Sequence, residues 1–161
     1  LFSSALRQNG KDTEGILGFL PSDLWREIKR GEKLKCKHCK RNRATVGCAV
    51  KQCKASFHFS CGIPNGALNQ FSGSFSSYCS THKPAVKIPI PQESWNCEIC
   101  FFHVESDEFP VWPPCCKRRV FHRSCIQSYA TNSGYFFSCP CCKDKEVFIR
   151  AMKDSGVYVP E

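Results

Sequence analysis

Apolar and polar positions give a helical period in three short stretches, and the first lies in the first third of the chain. Leu24, Trp25 and Ile28 recur at the three- and four-residue spacing of one helix face. Serine is a preferred N-cap residue, and glycine commonly follows the last helical turn. The pattern therefore predicts a short helix with Ser22 as its N-cap and Gly31 just past its end.

Two further helices are predicted in the second half of the chain. Residues 124–132 place four apolar or small side chains on one side of a helix, namely Cys125, Ile126, Tyr129 and Ala130. Asp144 can cap a last helix that continues through Met152 and is closed by Gly156. The apolar residues 157–159 follow that helix.

Between these helices we predict knuckles, short strands and one linker. Residues 36–82 contain five aromatic residues that are expected to form a small core, namely Phe57, Phe59, Phe71, Phe75 and Tyr78. Three prolines within residues 84–91 favour an extended and fairly stiff segment. We therefore predict a first domain at residues 1–83, a proline-rich linker at 84–94 and a second domain at 95–161.

Cysteine and histidine positions carry the strongest chemical signal. Of the 14 cysteines and 5 histidines, all but three fall into two consecutive sets of eight. The first set is Cys36, Cys39, Cys48, Cys53, His58, Cys61, Cys79 and His82. The second set is Cys97, Cys100, Cys115, Cys116, His122, Cys125, Cys139 and Cys142. Each set has the spacing that holds two tetrahedral zinc ions, so we predict four structural zinc ions per chain, with Cys141 left over.

Composition favours metal as the stabilising element, with disulfide bonds as the alternative. Two domains of about 80 residues bury limited apolar surface and usually need metal or disulfides. Paired CxxC spacings and interleaved histidines favour metal, because disulfides need no histidine. No secretory signal peptide and no apolar run of roughly 20 residues is seen, so we expect an intracellular protein with no membrane partner.

The order of the ligands suits a cross-brace, in which pairs one and three bind one zinc and pairs two and four bind the other. The predicted sites are Cys36, Cys39, His58 and Cys61; Cys48, Cys53, Cys79 and His82; Cys97, Cys100, His122 and Cys125; and Cys115, Cys116, Cys139 and Cys142. Four protein ligands leave no open position for water, so the sites are structural. The adjacent Cys115 and Cys116 are the weakest assignment, because neighbours in extended backbone point opposite ways. A turn can bring both thiolates to one metal; alternatively, Cys141 replaces one of them.

Charge is unevenly distributed between the halves. Residues 1–83 hold 14 Lys and Arg against 5 Asp and Glu, whereas residues 84–161 hold nine of each. Ligating cysteines are thiolates, so the zinc-loaded halves carry about +7 and about −3. The first half concentrates basic residues at Lys33, Lys35, Lys37, Lys40, Arg41, Arg43, Lys51 and Lys54. They favour contact with the phosphates of DNA, without a base-reading motif; the alternative is a solvated surface that keeps a small domain soluble.

Several motifs in the first half match a known family, namely Cys36-Lys-His-Cys39, Gly47-Cys48, Phe57-His58-Phe59-x-Cys61-Gly62, Phe75-x-x-Tyr78-Cys79-x-x-His82, and the preceding Gly15-x-x-Gly-Phe-Leu-Pro-x-Asp23 with Lys35. They resemble the second part of an extended PHD finger. Such domains usually begin with a further zinc knuckle, so we expect a longer protein from which that knuckle is missing here. A methyl-lysine reader needs an aromatic cage, and we interpret Phe75 and Tyr78 as core residues in preference to a cage. His38 is expected to be exposed and not a ligand.

The second ligand set has the stoichiometry of both PHD fingers and RING variants, and other residues favour RING. RING fingers bind a ubiquitin-conjugating enzyme through an aliphatic residue in the first CxxC, an aromatic on the helix and a proline after the seventh ligand. Ile99, Tyr129 and Pro140 occupy these places, and Lys143 follows the eighth ligand, where a basic residue acts next to the reaction. Phe137 favours a PHD finger instead. The alternative role of Ile99 and Tyr129 is packing in the core. For Pro140 the alternative is stiffening of the knuckle, and for Lys143 it is a solvated side chain.

The mechanism that this resemblance implies involves no covalent intermediate on the chain. A substrate lysine attacks the thioester of the conjugating enzyme, and the finger holds ubiquitin in a reactive pose. Lys143 has fewer and less rigid donors than the arginine common at this place, which weakens the assignment. Cys141 as a nucleophile lacks a general base near it in the sequence.

Essentially the whole chain is similar to the family of PHD finger protein 7 and the G2/M-phase-specific ubiquitin ligase, through residues 113–116, 121–130 and 136–137 and the tail at Met152, Gly156 and Pro160. We therefore predict a small zinc-stabilised α+β protein: an extended PHD finger lacking its first knuckle, then a RING/PHD variant. The family implies nuclear ubiquitin transfer to a histone lysine, with a conjugating enzyme, ubiquitin, nucleosomes and the DNA backbone as partners and no small-molecule substrate. The rival interpretation is a non-catalytic chromatin reader or scaffold of tandem zinc fingers.

Overall fold

The computed structural model of the chain describes residues 3–84 and 95–160, and the predicted linker lies outside them except for Pro84. Two compact units divide the chain: the first contains Leu1–Asn69 and Ser76–Lys83, and the second contains Gln70–Phe75 and Pro84–Glu161. The domain boundaries at residues 83 and 95 stay predictions. No helix in these described ranges is long and apolar enough to cross a bilayer.

Short elements make up the first unit. Its helices are α1 (Pro21–Gly31), the one-turn α2 (Phe59–Gly62) and a 3-10 turn (Ile63–Asn65). Its strands are β1 (Val46–Gly47), β2 (Ser56–Phe57), β3 (Leu68–Asn69) and β4 (Ser77–Tyr78). Antiparallel pairing joins β1 to β2, with Val46 opposite Phe57, and β3 to β4, with Leu68 opposite Tyr78.

Helices dominate the second unit. They are the 3-10 turn Ser106–Glu108, α3 (Arg123–Ser133), the 3-10 turn Gly134–Phe136 and α4 (Glu146–Asp154). Isolated antiparallel bridges join Asn96 to His103 and Val111 to Phe121. The small α+β fold predicted from the sequence is thus confirmed, with two-residue strands in one unit and helices in both.

Helix α1 forms where the sequence predicts it, but its cap and its buried face were predicted wrongly. Proline occupies its first position and Leu20 is the N-cap, so Ser22 lies inside the helix. Trp25 is 60% exposed and Ile28 is also exposed, whereas the buried side is formed by Asp23, Glu27 and Gly31. The side of α1 that faces inward is therefore a stripe of residues four positions apart, and two of the three are carboxylates.

Hydrogen bonds explain why carboxylates replace apolar residues on the buried side of α1. Asp23 Oδ2 accepts from Asn9 Nδ2 at 2.9 Å. Glu27 accepts two bonds of 2.7 Å from the Arg30 guanidinium and one from the Ser3 hydroxyl. Although burial raises the pKa of Glu27, these bonds and the Arg30 charge outweigh it and lower that pKa. The paired carboxylates thus hold the segment that precedes the helix.

The core of the first unit contains fewer aromatic residues than the sequence predicts. Its buried members are Cys36, Ala44, Val46, Phe57 and Cys79. Phe57 is fully buried and Phe59 packs against the cluster, as predicted. Tyr78 is half-buried. Phe75 is 64% exposed on a left-handed turn with φ 51°, so its assignment to the core was wrong. Phe71 is half-buried and belongs to the second unit, where its ring contacts Tyr158.

The core of the second unit confirms both helices that the sequence predicts there. On α3, Ile126 and Ala130 are buried and Tyr129 is half-buried. Asp144 Oδ1 accepts from the backbone N–H of Phe148 at 2.8 Å and so satisfies an otherwise unpaired donor at the start of α4. Gly156 follows this helix with φ 75°, a left-handed conformation that ends it. The fully buried side chains here include Phe121, Ile126, Phe137, Phe148, Met152 and Val157.

Candidate metal centres

The structure brings the predicted ligands together in four groups of four. Within each group, all ligand atoms lie within 4.8 Å of one another. They are Cys36, Cys39, His58 and Cys61; Cys48, Cys53, Cys79 and His82; Cys97, Cys100, His122 and Cys125; and Cys115, Cys116, Cys139 and Cys142. The membership of each group is the one that the cross-brace order predicts. All fourteen cysteines are free thiols, so the disulfide alternative is wrong.

Distances within the groups fit tetrahedral zinc. A Zn–S bond of about 2.3 Å and a Zn–N bond of about 2.0 Å require S···S and S···N separations of roughly 3.8 and 3.5 Å. The His58 Nδ1 atom lies 3.3 Å from Cys39 Sγ and 3.7 Å from Cys61 Sγ. Cys53 and Cys79 have sulfurs 3.9 Å apart. The four groups therefore fit four zinc ions, with every position of each tetrahedron taken by the protein.

A repeated backbone turn aims each CxxC pair at its metal. In the first knuckle, Cys36 N–H donates to Arg41 O at 2.8 Å and Lys40 N–H donates to Cys36 O at 3.0 Å. The knuckles that begin at Cys97 and Cys139 repeat both bonds at 2.8–2.9 Å. The residue after the second cysteine has a positive φ in all three, namely Lys40 (63°), Phe101 (63°) and Lys143 (66°). This left-handed residue reverses the chain so that both sulfurs face one point.

Backbone donors prepare some sulfurs to bind metal as thiolates. Burial raises the pKa of the Cys36 thiol, but hydrogen bonds from the backbone N–H groups of Cys39, His58 and His38 outweigh it and bring that pKa to about 6. The same balance of burial against backbone N–H bonds lowers the pKa of Cys79 and of Cys97 to about 7. A thiolate is the form that ligates zinc, so the knuckle backbone supplies part of the site's affinity.

Hydrogen bonds on the far side of the ring orient two ligand histidines. His58 Nε2 donates to the carbonyl of Asn42 at 2.9 Å, and His122 Nε2 donates to the carbonyl of His103 at 2.8 Å. A proton held on Nε2 leaves the Nδ1 lone pair free for the metal. His38 is half-buried, packs near Phe57 and lies outside the four groups, so it is not a ligand.

The adjacent cysteines reach one site through a turn. Cys116 N–H donates to Pro113 O at 3.3 Å, and Cys116 Sγ lies 3.8 Å from Cys139 Sγ. Cys115 joins the same group, whereas Cys141 is exposed and outside it. The geometry therefore favours the adjacent pair over the alternative in which Cys141 replaces one of them.

The residues predicted to bind a conjugating enzyme keep part of their surface accessible. Ile99 and Pro140 are half-buried on the two knuckles that begin at Cys97 and Cys139. Tyr129 is half-buried on α3, where its ring lies 5.6 Å from that of Phe137. Lys143 is exposed and its Nζ donates to Pro140 O at 3.3 Å. Ile99 and Tyr129 also pack against the core, so each of them contributes to the fold as well.

Sequence reasoning missed two exposed phenylalanines beside the first knuckle of the second unit. Phe101 and Phe102 are 76% and 74% exposed directly after the ligand Cys100. Their position could have revealed them, because the knuckle turn fixes the backbone of the residues just after a CxxC pair and limits how far their side chains can turn inward. Tyr135 and Phe136 are also largely exposed, before the fourth ligand pair.

The basic residues predicted to contact DNA are all exposed. They are Lys33, Lys35, Lys37, Lys40, Arg41, Arg43, Lys51 and Lys54. They flank the first two ligand pairs of the first unit along the chain. Their charges are thus displayed to solvent.

Closed Cys/His sites paired in cross-braces define a zinc-finger protein with four structural metal centres. Residues 1–83 match the family model described as a PHD-like zinc-binding domain. The chain belongs to this PHD-like zinc-binding family, as the resemblance of its first half predicts.

Named relatives extend the similarity to the whole chain. The human G2/M phase-specific E3 ubiquitin-protein ligase is 40% identical over 168 residues, covering 100% of this chain and 24% of that protein. The Drosophila melanogaster Pineapple eye protein is 34% identical over 168 residues, covering 100% of this chain and 28% of that protein. Human PHD finger protein 11 is 39% identical over 69 residues, covering 43% of this chain and 21% of that protein. The chain thus spans about a quarter of the length of the relatives that match it throughout.

Proposed function

We propose that the second unit is a RING-type finger of a ubiquitin-protein ligase and that it recruits a ubiquitin-conjugating enzyme. The observation that carries this proposal is the accessible surface of Ile99 and Pro140 on two rigid zinc knuckles, with Tyr129 on the helix between those knuckles in the sequence. The name of the human relative, which matches the full length of this chain, supports the same activity.

The mechanism is one of positioning. Zinc, when bound, fixes the knuckles, and all four groups offer four protein ligands, so the protein leaves no metal position for substrate or water. The chain lowers the barrier by holding the conjugating enzyme and its ubiquitin in a reactive arrangement for an incoming lysine.

Lys143 is the residue that we assign next to the reaction. It is exposed, and its left-handed backbone is held by the bond from its N–H to Cys139 O at 2.9 Å. Its Nζ, now on Pro140 O, is free to rotate toward oxygens of the conjugating enzyme and of ubiquitin. Because arginine has more donors in a fixed plane, Lys143→Arg is expected to raise the rate of ubiquitin discharge, and Lys143→Ala to lower it without loss of enzyme binding.

For the substrate we propose a histone lysine, which requires a chromatin-bound protein in the nucleus. The first unit supports this, because it carries a net charge of about +7 when loaded with zinc and eight of its basic residues are exposed for docking on nucleosomal DNA. Contacts with the phosphate backbone are independent of sequence and weaken steeply as salt is added.

A non-catalytic reader or scaffold is the competing function. An autoubiquitination assay over a panel of conjugating enzymes separates the two, with Ile99→Ala as the test variant. Ile63→Ala is the matched control, because Ile63 is exposed in the first unit and outside the proposed face. The ligase proposal expects zinc-dependent product that is lost with Ile99→Ala and kept with Ile63→Ala. Absence of product from the whole panel supports the scaffold, and product that forms equally well with Ile99→Ala overturns the proposed enzyme-binding face.

A further inference from the structure

We propose that the segment after α4 is a buttress for the conjugating-enzyme face, with Arg123 and Gln127 as its positioning residues. The buttress is residues 155–158, which follow the last turn of α4. This inference rests on the proposed ligase function and extends the working part of the finger beyond its last zinc ligand, Cys142. It assigns a role in enzyme binding to residues that touch neither zinc nor the enzyme.

Arg123 makes the first of two attachments between α3 and the buttress. Its Nη1 donates to the backbone carbonyl of Ser155 at 2.6 Å. A charge-assisted bond of this length is stronger than an ordinary one between neutral groups. Because Arg123 is the first residue of α3, the bond ties the start of that helix to the end of α4.

Gln127 makes the second attachment one helical turn further along. Its Nε2 donates to the carbonyl of Tyr158 at 2.9 Å, and its Oε1 accepts from the N–H of Tyr158 at 2.9 Å. One side-chain amide thus pairs with both backbone groups of one residue, as a neighbouring strand would. Val157, between the two attachment points, is fully buried in the core. The buttress is therefore fixed by polar contacts on α3 and by an apolar anchor beside them.

A series of ring contacts connects α4 to the proposed enzyme-binding residue Tyr129. The ring of Phe148, on α4, lies 5.2 Å from that of Phe137, which lies 5.6 Å from Tyr129. Phe148 and Phe137 are fully buried, so neither can move without disturbing close packing. The position of α4 therefore bears directly on the position of Tyr129.

The buttress leaves the enzyme face open. Residues four apart lie on one side of a helix, so Arg123 and Gln127 share a side of α3. Tyr129, two residues beyond Gln127, is rotated by about 200° and points the other way. The segment thus supports α3 on the side opposite Tyr129 and does not cover Tyr129. Precise binding sites depend on such supporting contacts to lock their side chains.

The test uses two variants of the zinc-loaded chain. Gln127→Met keeps the length of the side chain and removes both bonds to Tyr158, and a stop after Asp154 removes the whole segment. Ser128→Ala is the matched control, since Ser128 is exposed on the next position of the same helix. Val104→Ala, in the core of the same unit, provides a destabilised variant in which the side chains of Arg123 and Gln127 are unchanged.

Three quantities are measured: zinc per chain, affinity for a conjugating enzyme that the wild type binds, and single-turnover discharge of ubiquitin to free lysine. We expect both test variants to keep four zinc ions. Gln127→Met should bind the enzyme about five- to tenfold more weakly, the effect of losing two hydrogen bonds, and the truncation, which also loses the Arg123 bond and Val157, should bind at least as weakly as Gln127→Met. At saturating enzyme their discharge rates recover, and Ser128→Ala and Val104→Ala keep the wild-type affinity. Restoring the deleted tail restores the affinity.

Failure of the buttress and failure of the ligase function give different results. A wild type that discharges ubiquitin, together with Gln127→Met and the truncation binding as tightly as it does, overturns the buttress alone. An equal loss of affinity in Val104→Ala overturns it as well, since that loss is general destabilisation. A wild type that binds no enzyme and discharges nothing overturns the proposed function, and the role assigned to the buttress falls with it.

Discussion

Replacing Glu27 by glutamine tests whether the polar side of α1 holds the first unit together. The carboxylate is 95% shielded from solvent and accepts Arg30 Nε and Nη2 at 2.7 Å each, as well as the Ser3 hydroxyl. Glutamine has the same shape, but it loses the negative charge and turns one acceptor into a donor that faces a guanidinium N–H. One of the two bonds from the guanidinium is lost, and the other keeps its charged donor but loses its charged acceptor, which weakens it.

The magnitude follows from those two bonds. A hydrogen bond to a charged group contributes about 1.5–3 kcal/mol and one between neutral groups about 1 kcal/mol. Arg30 keeps 42% of its side chain exposed, so water recovers part of the loss. We therefore expect Glu27→Gln to lower the free energy of unfolding of the first unit by about 1.5–2.5 kcal/mol.

The assay is urea unfolding at fixed zinc, followed by amide resonances of the first unit in a two-dimensional NMR spectrum. Following one unit avoids treating the whole chain as a single two-state system. Glu32→Gln is the matched control, since Glu32 is exposed at the end of the same helix and its replacement should change stability by less than about 0.5 kcal/mol. A change of that small size in Glu27→Gln would refute the reasoning and make the Arg30 pair no different from a surface ion pair.

Three further predictions concern the zinc sites, the second core and the basic surface. Metal analysis should return four zinc ions for the wild type and for Cys141→Ser, and three for Cys115→Ser and for Cys116→Ser; an intact count in either of the last two would return the ligand role to Cys141. Phe148→Ala should destabilise the second unit by about 3–5 kcal/mol in thermal unfolding, because the fully buried ring leaves a cavity; a loss below about 1 kcal/mol would contradict its place in the core. Duplex-DNA binding should have a steep salt slope that falls by about one for Lys37→Gln; a slope that does not change means that Lys37 contacts no phosphate.

The ligand groups could be predicted from the sequence because local spacing determines them. A CxxC pair followed by a left-handed residue forms a knuckle from six consecutive residues, and the cross-brace then follows from ligand order. Residues Ile126 and Ala130 were also predictable, since an amphipathic period indicates which side of α3 faces a core.

The rest depends on contacts between residues far apart in the chain. Asp23 and Glu27 are buried with Asn9 and Ser3 as hydrogen-bond partners, and no period in the sequence of α1 reveals those partners. Phe75 looked like a core residue by its chemistry, yet the turn that carries it points it to solvent. The bonds from Arg123 and Gln127 to residues about thirty positions later likewise exist only in the folded unit.

One measurement tests the central claim, that the second unit activates a ubiquitin-loaded conjugating enzyme, most directly. It is the single-turnover discharge of ubiquitin to free lysine, with conjugating enzyme charged beforehand and the zinc-loaded chain added in excess. We predict a faster discharge with the wild type, the basal rate with Ile99→Ala, and the wild-type rate with Ile63→Ala. Basal discharge with the wild type across a full panel of conjugating enzymes, while four zinc ions remain bound, would contradict the claim.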